Sequence, residues 1–265
     1  MLIVKDVHKT FFPGSVNEKK ALQGVDLTLK DGDFVTVIGS NGAGKSTLLN
    51  AVAGVFPIDT GRIEISGTDV TRMPEYQRAR FIGRVFQDPM KGTAAGMMIE
   101  ENLAMAARRG KRPGLRWSSQ GEQTERFKAM LRELDLGLED RMTAHVGLLS
   151  GGQRQAVTLL MATLVRPELL LLDEHTAALD PKTAEKVLQL TDRIVRQHNL
   201  TTLMITHNMR DALRFGNRLI MMHAGRVVED IPGDVKKTLA VPDLLDLFEK
   251  RAGKDVAVGD AMLLG

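Results

Sequence analysis

The chain has 265 residues, 43% apolar and 26% charged, with 25 glycines and 9 prolines. These proportions fit one large soluble domain or two small ones and exclude a disordered, collagen-like or low-complexity chain. The absence of cysteine excludes disulfides, thiolate metal sites and cysteine nucleophiles. A net charge of +3 and an aromatic content of 4% argue against a nucleic-acid surface. No apolar run approaches the ~18 residues of a membrane helix, and the start Met1–Asp6 lacks the basic region and apolar core of a secretory leader. A cytoplasmic location is expected.

Strands are expected over 2–7, 25–29 and 34–38, with Asp31-Gly32 read as a hairpin turn. Gly39-Ser40-Asn41-Gly42-Ala43-Gly44-Lys45-Ser46-Thr47 then fits GxxxxGK[ST], between the strand 34–38 and a helical run over 48–55. Composition alone would produce such a match about 0.006 times in a chain this long. Its glycines let backbone N–H groups close round phosphates, Lys45 can reach the β- and γ-phosphates, and the Ser46 hydroxyl can ligate Mg²⁺. Further strands are expected over 62–65 and 80–86.

From 88 to 166 the strand signal vanishes, and helices are expected over 99–108, 120–136 and 152–165. The basic stretch 108–116, broken by Gly110, Pro113 and Gly114, reads as a loop, either solvated or touching anionic lipid headgroups. Leu149-Ser150-Gly151-Gly152-Gln153 places two glycines before a helix, a second anion-binding helix start. Strand pattern returns over 169–172 and ends in Asp173-Glu174. Asp173 suits an outer-shell partner of Mg²⁺, and Glu174 can polarise an attacking water. Asp180-Pro181 reads as an N-cap with proline at the first helical position, opening a helix through Gln197. Strands over 202–205, 219–222 and 226–229 follow, the last two joined by a turn at Ala224-Gly225. Met221-Met222 reads as core packing, while Met97-Met98 is left open between core and partner contact.

The phosphate loop, the pentapeptide at 149–153 and the strand ending Asp-Glu together resemble the nucleotide-binding subunits of ATP-binding-cassette (ABC) transporters, over about residues 2–230. The resemblance implies an α/β fold: a P-loop NTPase sheet core with an antiparallel β flank and an inserted α-helical subdomain. It divides the single domain 1–265 into a catalytic core of 1–87 and 167–230, a helical subdomain of 88–166, and a short helical tail of 231–265. It also implies that Gln87 contacts Mg²⁺ and water and senses the membrane partner. By the same resemblance Ala177–Asp180 would form a loop at a dimer interface, His207 would contact the γ-phosphate, and Phe11 or the adjacent Phe12 would stack on adenine. Where the family commonly has proline after the Asp-Glu pair, this chain has His175, which can alter the backbone beside Glu174.

The implied function is ATP hydrolysis driving transport of a small solute. Import is expected, at the cytoplasmic face of the membrane, through separate permease subunits and with an extracytoplasmic solute-binding protein. The wording 173–182 resembles a subgroup that serves amino-acid-like solutes. Lys45 of one chain and Ser150 of a second would share each ATP in a head-to-tail homodimer. An exporter subunit, or a soluble cassette ATPase unconnected with transport, stands as the alternative.

Overall fold

The structure is a computed structural model that describes residues 1–111 and 120–252. Its strands are β1 (Leu2–Phe11), β2 (Lys19–Leu29), β3 (Phe34–Gly39), β4 (Thr60–Ile65), β5 (Thr68–Asp69), β6 (Ile82–Val85), β7 (Leu169–Asp173), β8 (Thr202–Ile205), β9 (Arg218–His223) and β10 (Arg226–Pro232). Its helices are α1 (Lys45–Ala53), α2 (Glu75–Arg78), α3 (Ile99–Ala106), α4 (Gln120–Arg132), α5 (Gly151–Thr163), α6 (Pro181–Gln197), α7 (Met209–Arg214), α8 (Gly233–Lys236) and α9 (Val241–Ala252). The described residues form two compact units, one of 1–78 with 199–252, the other of the described part of 79–198.

In the first unit β1 lies between β2 and β4, with β5 beyond β4, all antiparallel. A second set of strands there pairs β10 antiparallel with β9, while β9 and β8 each run parallel to β3. All six residues of β3 are buried, as expected of a parallel strand covered on both faces. Ile38, Met209, Ala212, Leu219, Met221, Ile231, Leu244 and Phe248 form one apolar cluster that joins these strands to α7 and α9. Met221 and Met222 are fully buried, as their core reading expects.

Asp31-Gly32 does not close a hairpin. β2 pairs with β1, whereas β3 pairs with β8 and β9, so the turn carries the chain from one sheet to the other. The Gly32 amide donates to Thr201 Oγ1 at 3.0 Å and the Phe34 amide to Asn217 Oδ1 at 2.9 Å, which commits this corner to β8 and β9. Ala224-Gly225 does turn β9 into β10, with both residues at positive φ (46° and 77°), as a two-residue hairpin requires.

Two buried cations discharge helix ends. The Arg78 guanidinium donates to the Ala51 and Val52 carbonyls at 2.8 Å at the C-terminus of α1, where the dipole is negative. Lys236 is 2% exposed and its amine donates to the Phe215 and Gly216 carbonyls after α7 and to Thr36 Oγ1 at 3.3 Å.

In the second unit β6 and β7 are parallel, Ile82 opposite Leu169 through Val85 opposite Leu172. Helices α3, α4 and α6 pack against α5 or one another. Arg109, expected in an exposed basic loop, instead donates to the Ala162 carbonyl at 2.7 Å and to the Val165 carbonyl. Buried carbonyls left over after α5 need a donor, and that need outweighs the local loop composition. The remaining basic residues at 112–116 lie outside the described residues.

Burial lowers the Lys236 pKa from 10.5 to about 8. The unfolded chain then binds more protons than the folded one between pH 8 and 10.5, so this lysine's contribution to stability rises with pH across that window, by roughly 3 kcal/mol in total. Lys236→Met should remove this slope in urea unfolding at pH 7.5 to 10.5, measured against the parent.

Candidate functional site

The phosphate loop leaves β3 and opens α1. Gly42 (φ 81°) and Gly44 (φ 100°) take the left-handed backbone that turns the amides inward. A side chain at Gly39 would overlap the Met222 carbonyl oxygen, and one at Gly44 would stand 2.6 Å from the Ala21 carbonyl oxygen. Lys45 is 7% exposed, and its amine donates to the Gly39 carbonyl at 2.6 Å and the Ser40 carbonyl at 3.1 Å. Asn41, Gly42 and Ser46 are exposed, Thr47 is half-buried, and Ser40 and Ala43 are buried. The β9–β10 turn braces the loop, a role no local pattern announces. The Gly225 amide donates to the Ala43 carbonyl, and the Gln23 amide donates to the Gly225 carbonyl, both at 2.9 Å.

β8 delivers His207 to the same strand ends. Val37 is opposite Ile205 in the β3–β8 register, so two residues further on Gly39 corresponds to His207, which is exposed. Phe11 ends β1 half-buried, its ring edge-on to Phe56 with centroids 5.2 Å apart and the Lys9 amine 5.6 Å above it. Phe12 is 68% exposed at a positive φ of 52°.

The second unit places the acidic groups and Gln87 at one strand edge. In the β6–β7 register Val85 is opposite Leu172, so Gln87 and Glu174 leave the same edge. Asp173 is half-buried and lies 3.8 Å from Arg84 Nη2. Glu174 has φ 43°, the left-handed region, which costs a residue with a side chain about 1–2 kcal/mol. Its carbonyl accepts from the Ala177 amide at 3.0 Å. His175 turns inward, 2% exposed, and bonds Thr191 Oγ1 at 3.0 Å. The Thr191 hydroxyl donates to the Val187 carbonyl at 2.8 Å, so the imidazole is the donor and carries its proton on Nε2. Burial lowers the His175 pKa to about 4, keeping the ring neutral.

Ser150 is the N-cap of α5. Its Oγ accepts from the Gln153 amide at 3.3 Å while Gln153 Oε1 accepts from the Ser150 amide at 3.2 Å, a capping box. An oxygen that accepts from the backbone keeps its own hydroxyl proton for an outside anion. Gly151 lies against Leu179, and a side chain at Gly152 would overlap Thr183 Cγ2, so the glycine pair lets α5 meet the first turn of α6. Asp180 caps α6, accepting from the Thr183 amide at 3.1 Å. The Thr183 side chain and amide hold its carboxyl below the usual carboxylate range.

Ser150, Gly152, Gln153, Thr183, Lys186 and Arg193 line a groove of about 750 Å³. Arg154 escaped the motif reading. Its guanidinium donates to the Val146, Gly147 and Leu149 carbonyls at 3.2, 2.9 and 3.1 Å and so shapes the approach to the pentapeptide. A long basic side chain one residue past the motif was the only signal.

Among the described residues no three His, Asp or Glu side chains cluster as a metal cage. Ser46, Gln87 and Asp173 offer hydroxyl, amide and carboxylate oxygens. Each is a hard oxygen donor of the kind Mg²⁺ accepts alongside phosphate oxygens and water. Among the same residues no helix is long and apolar enough to cross a membrane.

A strand–glycine loop–helix with a buried lysine, a carboxylate pair at a strand end and a capped Ser-Gly-Gly helix define a phosphate-loop ATPase. The ABC transporter family profile matches residues 22–177, and the chain belongs to that family as an ATP-hydrolysing, ATP-binding subunit. It is 44% identical to the tyrosine transport ATP-binding protein of Clostridioides difficile over 94% of this chain and 99% of that one. It is 39% identical to a methionine import ATP-binding protein of Rhizobium johnstonii over 84% of this chain and 59% of that one. The chain thus spans about three-fifths of that longer relative. Among solved structures, an ATP-binding cassette captured as a post-hydrolysis dimer with ADP and phosphate superposes with a TM-score of 0.75 at 30% identity, covering 88% of this chain and 99% of that one.

Gly152→Ala should destabilise the protein by about 1–3 kcal/mol, because the new methyl overlaps Thr183 Cγ2. Adding Thr183→Ser, which deletes that carbon, should restore most of the loss in chemical denaturation. Equal stability of the parent and Gly152→Ala would refute the close approach.

Proposed function

We propose that the chain powers uptake of an amino-acid-like solute through separate permease subunits, as a peripheral subunit on the cytoplasmic face served by an extracytoplasmic solute-binding protein. The observation that carries this reading is the 44% identity to a tyrosine transport ATP-binding protein along 99% of that protein's length.

In this reading Lys45 and the loop amides hold the β- and γ-phosphates, and His207 touches the γ-phosphate. Ser46, Gln87 and Asp173 would hold Mg²⁺, which supplies charge neutralisation on the phosphate oxygens when bound. Glu174 orients a water and accepts its proton as the water oxygen attacks the γ-phosphorus and ADP leaves. Ser150, Gly151, Gly152 and Gln153 of a second chain, with Asp180 at the crossing, complete each site, so ATP joins two chains and its hydrolysis releases them. Phe11 stacks on the adenine: its ring is already held by Phe56 and Lys9, and a pre-ordered ring loses less freedom on binding.

Glu174→Gln should accumulate as an ATP-dependent dimer in gel filtration, with turnover reduced about 10²–10⁴-fold. Adding Ser150→Arg should abolish that dimer while each chain still binds ATP, and Lys45→Ala should lose ATP binding itself. A monomer with ATP, with ADP and without nucleotide, despite normal ATP binding, would remove the head-to-tail mechanism.

Phe11→Ala should weaken ATP binding roughly five- to a hundredfold, the range of base–aromatic stacking, and Phe12→Ala should leave it within twofold. The reverse pattern in nucleotide titrations would move the stacking role to Phe12.

A further inference from the structure

We infer that His175 and Thr191 form a positioning pair that fixes the backbone of Glu174 for water attack. The inference rests on the hydrolytic role proposed for Glu174 and adds to it the means by which that carboxylate is aimed.

Glu174 sits at φ 43°, a conformation that a residue with a side chain leaves unless its surroundings hold it. Its own carbonyl makes one short turn with the Ala177 amide. The next residue supplies a tether of longer reach. The His175 imidazole is buried against α6 and donates to Thr191 Oγ1 at 3.0 Å, sixteen residues along the chain. Thr191 is 1% exposed, and its hydroxyl is itself fixed by donation to Val187 O at 2.8 Å. With its proton directed to Val187 O, the hydroxyl oxygen presents a lone pair to the imidazole.

The loop from Glu174 to Asp180 is thus secured twice on one helix. Asp180 caps the start of α6, and His175 bonds its third turn. The Ala177 amide holds the carbonyl of the peptide that joins Glu174 to His175, and the buried His175 bond holds the residue that follows it; burial away from water makes loss of the imidazole bond costly.

The test uses the full-length chain, with the ATPase rate and ATP affinity measured separately. Thr191→Val keeps the shape and deletes the hydroxyl; it should lower kcat about tenfold with ATP affinity within twofold of the parent. Thr191→Ser keeps the hydroxyl and should restore kcat to within twofold. His175→Phe keeps a ring in the pocket and should match Thr191→Val, and the double variant should be no slower than either single one, because both remove the same bond. If His175→Phe does not fold, the Thr191 pair alone decides.

A Thr191→Val protein that melts earlier but keeps the parental kcat would overturn the inference and leave the pair a packing feature. Equal losses in Thr191→Val and Thr191→Ser would also overturn it. Failure of the underlying reading looks different: Glu174→Gln would then hydrolyse ATP at the parental rate, whatever the Thr191 variants did.

Discussion

The ammonium group of Lys45, buried and hydrogen-bonded to the carbonyl oxygens of Gly39 and Ser40, is the interaction on which the nucleotide-facing part of the first unit depends. A buried cation needs oxygen partners, and here the loop's own carbonyls provide them. The loop consequently closes round its lysine. That closure requires a strand beneath it with no solvent-facing side, which β3 supplies, and a helix that starts at Lys45 and ends on the Arg78 guanidinium. It also requires backbone from elsewhere to approach within reach of Gly39, Ala43 and Gly44, which the β9–β10 turn and the end of β9 provide. Residues more than 180 positions downstream thus set the shape of a nine-residue motif.

Much of this was legible along the chain because the determinants are local. Strand 202–205 and the helix opened by Asp180-Pro181 fall where pattern and cap place them. β1 and β2 extend past their apolar cores, to Phe11 and back to Lys19, because the ladder between them continues through polar edge residues that periodicity does not mark. The short helices α2, α7 and α8 carry four to six residues each, too few for a helical period to emerge. The partners of single side chains were hidden for a different reason. Nothing in the sequence near Arg109 announces the carbonyls at the end of α5, and nothing near His175 announces Thr191, since both pairings exist only once distant elements pack. Asp31-Gly32 shows the same limit: turn chemistry identifies a reversal, and only tertiary pairing decides whether the flanking strands become neighbours.

The two places where the chain takes left-handed backbone for chemistry solve the strain in opposite ways. At its two left-handed positions the phosphate loop needs only backbone, so it uses Gly42 and Gly44, for which that region carries no side-chain penalty. At the end of β7 the hydrolytic role proposed for Glu174 needs a carboxylate, and glycine cannot supply one. Glu174 therefore occupies the left-handed region with its side chain present, and the cost must be met by contacts that make every alternative worse. The buried imidazole of His175 on Thr191 and the cap of Asp180 on α6 are contacts of that kind. The type of group each step needs thus decides where strain is avoided by glycine and where it is held by burial. His175 and Thr191 lie out of solvent, whereas Ser46, Gln87, Ser150 and His207 are exposed, open to the phosphate and water that they are proposed to meet.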